Sequence, residues 1–250
     1  MYYYLQEGTN NWSARQQQEK LRKLVGSYGI AGETVTPSPA RTIDELVGVG
    51  LEKNYSTFAA VGSDLFLNKV ASSLINQRER FGTERVVLGL VPTDLNGEIS
   101  RWLGLRSVED AALALKARKV ISVDLPVIEP SKYFIVPLKI QASKPFSIKL
   151  ETSGYTIDAQ TTGLQIDRDL NVKIAGRPGP GQLIEKIKHF FTGAPIASPA
   201  DSQIRTSELK IVTLDSIPVY LMSEMIAKTP VSLKIVPQVL QLVATRGSIS

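Results

Sequence analysis

The chain has 250 residues, of which 43% are hydrophobic and 21% charged, and a formal charge of +5. No apolar run approaches the ~18 residues of a transmembrane helix. Met1-Tyr2-Tyr3-Tyr4-Leu5-Gln6-Glu7 lacks the basic-then-apolar order of a secretory signal. The absence of cysteine excludes disulfides and thiolate chemistry and suits a cytoplasmic protein.

Residues 2–5 read as a first strand, followed by the loop Glu7-Gly8-Thr9-Asn10-Asn11. Ser13 is placed to cap a helix over 14–26, with Leu21, Leu24 and Val25 as its apolar stripe. Gly29–Val35 suggests a short strand. Thr42 and Glu45 form a capping box that opens a helix to about Lys53. A strand at 56–61, a helix at about 64–80, a buried-type strand at 86–91 and a short helix at 97–103 follow. Ser107 with Asp110 opens a helix over about 108–118. This alternation predicts a doubly wound, mostly parallel sheet.

The pattern changes near Val120. Short β-type runs cover 120–127, 133–141, 147–151, 155–160, 164–166, 172–174, 204–215, 218–222, 231–236 and 240–244, a spacing that suggests an antiparallel β-sandwich or barrel, of which the β-sandwich is the expectation taken here. An amphipathic helix over Gln182–Phe191 interrupts them. The expected domains are therefore 1–122, α/β, and 123–250, all-β. The basic residues form only short clusters, such as Arg15–Lys23 and Lys116–Lys119, without aromatic interleaving. That arrangement argues against nucleic acid.

Two loops carry the chemistry. Phe58-Ala59-Ala60-Val61 runs into Gly62-Ser63-Asp64-Leu65-Phe66-Leu67-Asn68-Lys69-Val70. Val86–Val91 runs into Pro92-Thr93-Asp94-Leu95-Asn96-Gly97-Glu98-Ile99-Ser100-Arg101-Trp102-Leu103-Gly104. Strands that end at Gly or Pro and turn into helices place ligands at the carboxyl edge of an open α/β sheet. The two loops resemble the GGDGTLNEV and P-x-GT-x-ND-FAR-x-LGI motifs of the diacylglycerol kinases and bacterial lipid kinases, a group akin in fold to the NAD kinases. Gly62, Asp64, Leu67, Asn68 and Val70 match the first motif. Ser63, Leu65 and Phe66 depart from it. Pro92, Arg101, Leu103 and Gly104 match the second, whose GT has become Asp94-Leu95 and whose ND has become Gly97-Glu98. Further on, Met222-Ser223-Glu224 stands where the family has Asp-Gly-Glu, and Thr229-Pro230 follows as in the family.

The resemblance implies an α/β domain, a β-rich domain and an active-site cleft between them. It also implies ATP and Mg²⁺ as cofactors, phosphoryl transfer to a lipid hydroxyl, and Gly62, Ser63, Asp64, Asn68, Thr93 and Asp94 as nucleotide-binding positions. Glu224 is the catalytic candidate that survives, because Met222 replaces the aspartate that would act as general base, and a thioether cannot take up that proton. Bulky Leu65 and Phe66 and acidic Asp94 oppose a triphosphate, which needs bare N–H groups. The sequence thus favours a degenerate relative with reduced or no kinase activity. An active lipid kinase and, more weakly, an NAD-kinase-like enzyme are the alternatives. Expected partners are a lipid or nucleotide-like ligand, a membrane surface touched peripherally, and a second copy in a homodimer.

Each residue also has a plainer reading. Asp64 could cap the helix it opens, and Asn68 could cover that helix's first turn. Asp94 and Glu98 could share Mg²⁺ or be solvated charges at a helix start. His189, the only histidine, lacks the partners of a zinc site or a triad. Residues 176–181 have no Lys-Ser/Thr after their glycines and form no P-loop.

Overall fold

The structure, a computed structural model, describes residues 1–82, 86–176 and 202–245. The helix expected over 182–191, with His189, lies outside them. Two compact units form: Met1–Leu125 with Ser131–Val136 and Val236–Ser250, and Pro126–Pro130 with Pro137–Ile235. The chain passes from one unit to the other after Leu125, Pro130, Val136 and Ile235.

The first unit contains β1 (Tyr2–Gln6), α1 (Trp12–Ser27), β2 (Glu33–Val35), α2 (Ile43–Glu52), β3 (Thr57–Gly62), α3 (Asp64–Phe81), β4 (Val87–Pro92), α4 (Glu98–Leu103) and α5 (Val108–Ala117). The end of β14 (Val231–Val243) joins this sheet, giving the order β14-β4-β3-β1-β2 with every pair parallel. β3 and β4 are buried along their whole length, which explains their continuous apolar runs. Phe58 and Leu88 share one face of the sheet and Ala59 and Gly89 the other. α2 approaches the first face, where Phe58 meets the backbone of Gly50, and α5 approaches the second, where Leu115 meets Gly89. The sheet is therefore wound on both faces, as the alternation of elements predicts.

Local chemistry sets most helix starts. Thr42 and Glu45 form the complete capping box on α2, and the Asp110 N–H donates to Ser107 Oγ at 3.1 Å to begin α5. α1 differs from expectation. Its cap is Asn11, not Ser13, because Asn11 holds the extended backbone from which its side chain accepts the Ala14 N–H. The strand expected over 29–35 shortens to Glu33–Val35. Gly29 at φ +69° and the Ile30 N–H bonded back to Val25 O still belong to the end of α1.

β5 (Val120–Ile128) pairs with β14 and with β6 (Lys132–Tyr133). The second unit is antiparallel and contains β7 (Leu138–Glu151), β8 (Thr156–Ile166), β9 (Asn171–Gly176), β10 (Ser202–Arg205), β11 (Glu208–Thr213), β12 (Pro218–Leu221) and β13 (Glu224–Lys228), with the start of β14. Its order is β10-β9-β8-β7-β11-β14, and β12-β13 branches from β7 beside β11. Several runs that look separate in sequence are single strands. β7 continues through an irregularity between Gln141 and Phe146 that contains Pro145, a residue unable to donate to a ladder. β8 likewise joins 155–160 to 164–166. β14 passes through Gln238, which has φ +50° and whose N–H donates to Asp124 Oδ1 at 2.8 Å. Conversely, the run 204–215 divides into β10 and β11 at Thr206 and Ser207.

Two helix glycines behave oppositely. A Cβ at Gly50 would lie 2.7 Å from the Phe58 ring and 2.8 Å from Tyr3, whereas one at Gly26 meets nothing within 4 Å. Gly50→Ala is expected to cost about 1–3 kcal/mol through overpacking, and Gly26→Ala to stabilise by about 0.5–1 kcal/mol through helix propensity. Urea denaturation of the two variants measures both.

Candidate functional site at the carboxyl edge of the parallel sheet

Parallel pairing brings three strand ends to one level. Gln6 pairs with Val61, and Gly62 with Pro92. The ladder continues one step into the loops: the Glu7 N–H donates to Val61 O at 2.8 Å and the Thr93 N–H to Gly62 O at 2.9 Å. Glu7, Ser63 and Thr93 therefore open three adjacent loops at the edge where open α/β sheets bind ligands.

Glu7 is the residue that sequence reasoning missed. Its carboxylate accepts the Ser63 N–H at 2.5 Å and the Ser63 hydroxyl at 2.8 Å. Gln18, buried, fixes the loop by donating its amide to the Glu7 carbonyl at 2.8 Å. The acceptor sits at the start of α3, where free backbone N–H groups and the helix dipole favour negative charge. A carboxylate from the chain itself thus occupies the kind of position that an anion would take. Gly62 leaves no spare room: a Cβ there would stand 2.7 Å from Glu7 Oε2 and 2.7 Å from the ring of Phe66. Phe66 is itself buried, and Leu65 half-buried. A signal for Glu7 existed, since it is the first residue after a strand whose neighbours end in the two motif loops.

Asp64 opens α3 but caps another helix. Its Oδ2 accepts the Glu98 N–H at 2.6 Å, at the start of α4, whose own N-cap Gly97 supplies no side chain. Gly97 is required there because a Cβ would lie 2.6 Å from Asp64 Oδ2. Asp64 is 4% exposed, and its Oδ1 has no hydrogen-bond partner among the described residues. Burial raises its pKa above the ordinary carboxylate value, the Glu98 and Ile99 N–H groups oppose that rise, and the charges of Asp94 and Glu98 add to it.

The remaining residues divide by place. Thr93 is half-buried beside Gly62. Asp94 is exposed, and its Oδ1 accepts the Asn96 N–H at 2.9 Å within its own turn. Glu98 pairs with Arg101 at 2.6 Å. These contacts put Asp94 and Glu98 in separate local partnerships, and no group of three or more metal-type side chains occurs among the described residues. Asn68 lies deeper along α3. Its Oδ1 accepts the Ile135 N–H at 2.6 Å and its amide donates to Tyr133 O at 3.3 Å, so it tethers the segment after β6. Glu224 belongs to the second unit, half-exposed at the start of β13 opposite Leu221. Met222, at φ +56° in the turn before it, is 45% exposed. The structure therefore gathers Gly62, Ser63, Asp64, Thr93 and Asp94 with Glu7, and holds the Asn68 side chain by hydrogen bonds to the backbone of Tyr133 and Ile135.

No family model matches the chain and no curated protein matches it in sequence. Solved structures do. A crystal structure of a diacylglycerol kinase from Bacillus anthracis str. Sterne aligns with TM-score 0.74 at 12% identity, covering 98% of this chain and 97% of that one. A second structure from the same organism, named for the same activity, aligns with TM-score 0.76 at 11% identity over 98% and 97%. Yeast NADH kinase complexed with NADH aligns with TM-score 0.56 at 9% identity over 98% and 83%. The chain has the diacylglycerol kinase/NAD kinase-like fold. Among the described residues no helix is long and apolar enough to cross a membrane.

The raised pKa of Asp64 fixes the sign of a pH effect. The folded protein binds the Asp64 proton more tightly than the unfolded chain does, so this group's stabilising contribution is complete below the ordinary carboxylate pKa and is lost as pH rises through the folded value. Asp64→Asn keeps an acceptor for Glu98 and removes the buried charge. It is expected to stabilise by about 1 kcal/mol at pH 7, with the gain shrinking toward pH 4, in denaturation curves taken across that range.

Proposed function

We propose that this chain is a degenerate lipid-kinase-fold protein, with reduced or no ATP-dependent phosphoryl transfer, that has kept the fold for binding. The observation that carries the reading is the Glu7 carboxylate on the Ser63 N–H and hydroxyl. Phosphate-binding loops work because bare N–H groups and a helix start face an anion. Here a covalently attached anion already takes the donors of the first residue of that loop. A triphosphate would have to displace Glu7 and accept its charge nearby, together with that of buried Asp64.

The cofactors implied by the fold meet a poor fit. ATP needs room past Gly62, which Glu7 and Phe66 fill. Mg²⁺ needs several oxygens turned to one point, and Asp94 and Glu98 have local partners instead. At the position that the lipid-kinase resemblance assigns to the general base stands Met222, which cannot accept a proton.

One observation favours the alternative of an active ATP- and Mg²⁺-dependent lipid kinase. Asp64 Oδ1, buried and without a hydrogen bond among the described residues, is an oxygen that a cation would satisfy. The NAD-kinase-like reading has fold similarity alone.

Nucleotide titration separates these readings. A ligand at ~100 times its Kd stabilises by about 2.7 kcal/mol, so a retained ATP site of micromolar affinity would raise Tm by several degrees. With about 5 mM ATP and excess Mg²⁺ we expect no measurable shift and no phosphate transferred to diacylglycerol in vesicles. A shift accompanied by transfer overturns the proposal. Glu7→Gln is expected to cost about 1 kcal/mol of stability, because it weakens charge-assisted bonds at a half-exposed site; a neutral effect in denaturation would remove the significance given to the Glu7–Ser63 contact.

A further inference from the structure

The turn before α4 carries an asparagine side chain that the fold leaves untied. Asn96 is exposed and stands directly before Gly97, the N-cap of α4. It is the only one of the chain's seven asparagines that a glycine follows. The other six side chains are held. Asn10 and Asn11 accept hydrogen bonds from the first turns of α1, and Asn54 donates within its own turn. Asn68 and Asn76 reach residues 131–135, and Asn171 reaches Asp167. Asn96 donates its backbone N–H to Asp94 Oδ1 at 2.9 Å, and its side-chain amide has no hydrogen bond among the described residues.

The cap on α4 dictates the glycine. A Cβ at position 97 would lie 2.6 Å from Asp64 Oδ2, the oxygen that accepts the Glu98 N–H at 2.6 Å. Without a side chain, Gly97 does not shield the peptide nitrogen from the Asn96 amide, and its backbone turns freely toward it. The Gly97 N–H donates to Asp94 O at 3.2 Å, the long limit for such a bond, so the nitrogen is only weakly held.

We propose that Asn96 is a site of deamidation in this protein, and that the reaction rewrites the start of α4 at the candidate site. The Gly97 peptide nitrogen gives its proton to hydroxide and attacks Asn96 Cγ. The new carbon–nitrogen bond closes a cyclic imide, and the side-chain nitrogen leaves as ammonia. Water then opens the imide at either carbonyl and yields aspartate or isoaspartate. Water is consumed, ammonia is released, and no atom changes oxidation state.

Both products alter the site. Each adds a carboxylate beside Asp94 and Glu98, whose charges already oppose ionisation of Asp64. Isoaspartate also routes the main chain through the side-chain carbon, which inserts a methylene immediately before Gly97. The Glu98 N–H then no longer points at Asp64 Oδ2, and a buried carboxylate loses its hydrogen bond. The inference rests on this turn and its cap, not on the loss of nucleotide binding.

Ageing of the full chain tests it. After incubation at neutral pH and physiological temperature, peptide mass spectrometry is expected to show Asn96 converting at least about ten-fold faster than any other asparagine, a ratio that a small difference in barrier produces. The rate should rise with pH, because the attacking nitrogen must lose a proton. Radiolabelled S-adenosylmethionine with a protein-isoaspartate methyltransferase should label the same peptide. The aged fraction, separated by its extra negative charge, should melt about 2–4 °C lower, roughly the shift from losing one buried hydrogen bond. Asn96→Gln, which could close only a larger and slower ring, should keep its initial Tm through the same incubation. Conversion of Asn96 no faster than of the other asparagines would overturn the proposal. So would an unlabelled peptide, an aged fraction that melts like fresh protein, or an equal loss of Tm in Asn96→Gln. The ATP titration uses unaged protein and is unaffected by these outcomes, so the two readings fail separately.

Discussion

Parallel backbone pairing of β1, β3 and β4 is the constraint on which the rest of the site depends. It aligns Gln6 with Val61 and Gly62 with Pro92, and it continues through the Glu7 and Thr93 N–H groups. Loops that leave adjacent strands at one level must share a small volume. Whatever side chains they carry then decide what that volume can hold. In this chain the first loop carries a glutamate, and the second presents an N–H and a hydroxyl at the positive end of an 18-residue helix. Their union follows from elementary electrostatics.

The same crowding explains Asp64. The second and third loops approach so closely that the aspartate at the start of α3 reaches the first turn of α4, and glycine is needed at 97 to let it. One oxygen gains a strong hydrogen bond while the other is buried without one among the described residues, which leaves a carboxyl whose charge is disfavoured. Carboxylates fill the edge of this sheet from two sides. The fold is one shared with proteins named as diacylglycerol kinases, and two carboxylates line this edge of its sheet; the combination underlies the proposed reading.

In the second unit register plays the corresponding part. Long antiparallel strands set one buried row beside one exposed row, and the apolar row gives the unit its core. The exposed row is under no packing constraint. Lys139, Lys173 and Lys228 have no ion-pair partner among the described residues, whereas Lys149 and Lys210 share Glu151 in ion pairs of the ordinary surface kind.

The alternation of elements, the capping box on α2, the apolar runs of β3 and β4 and the change to β-type patterning near Val120 were legible in the amino-acid order, because each rests on contacts a few residues apart. The motif loops were legible for the same reason, and with them the resemblance in fold. Strand continuity was not, since an irregularity at Pro145 or Gln238 reads as an end until a neighbouring strand shows the ladder resuming. Nor did the sequence reveal that Glu7 meets Ser63, 56 positions away, that Asp64 caps α4, or that Lys139 and Lys173 share a row with Tyr220. Local order determines which elements form and where they start. Long-range register, set by pairing and burial of the whole sheet, decides which side chains meet.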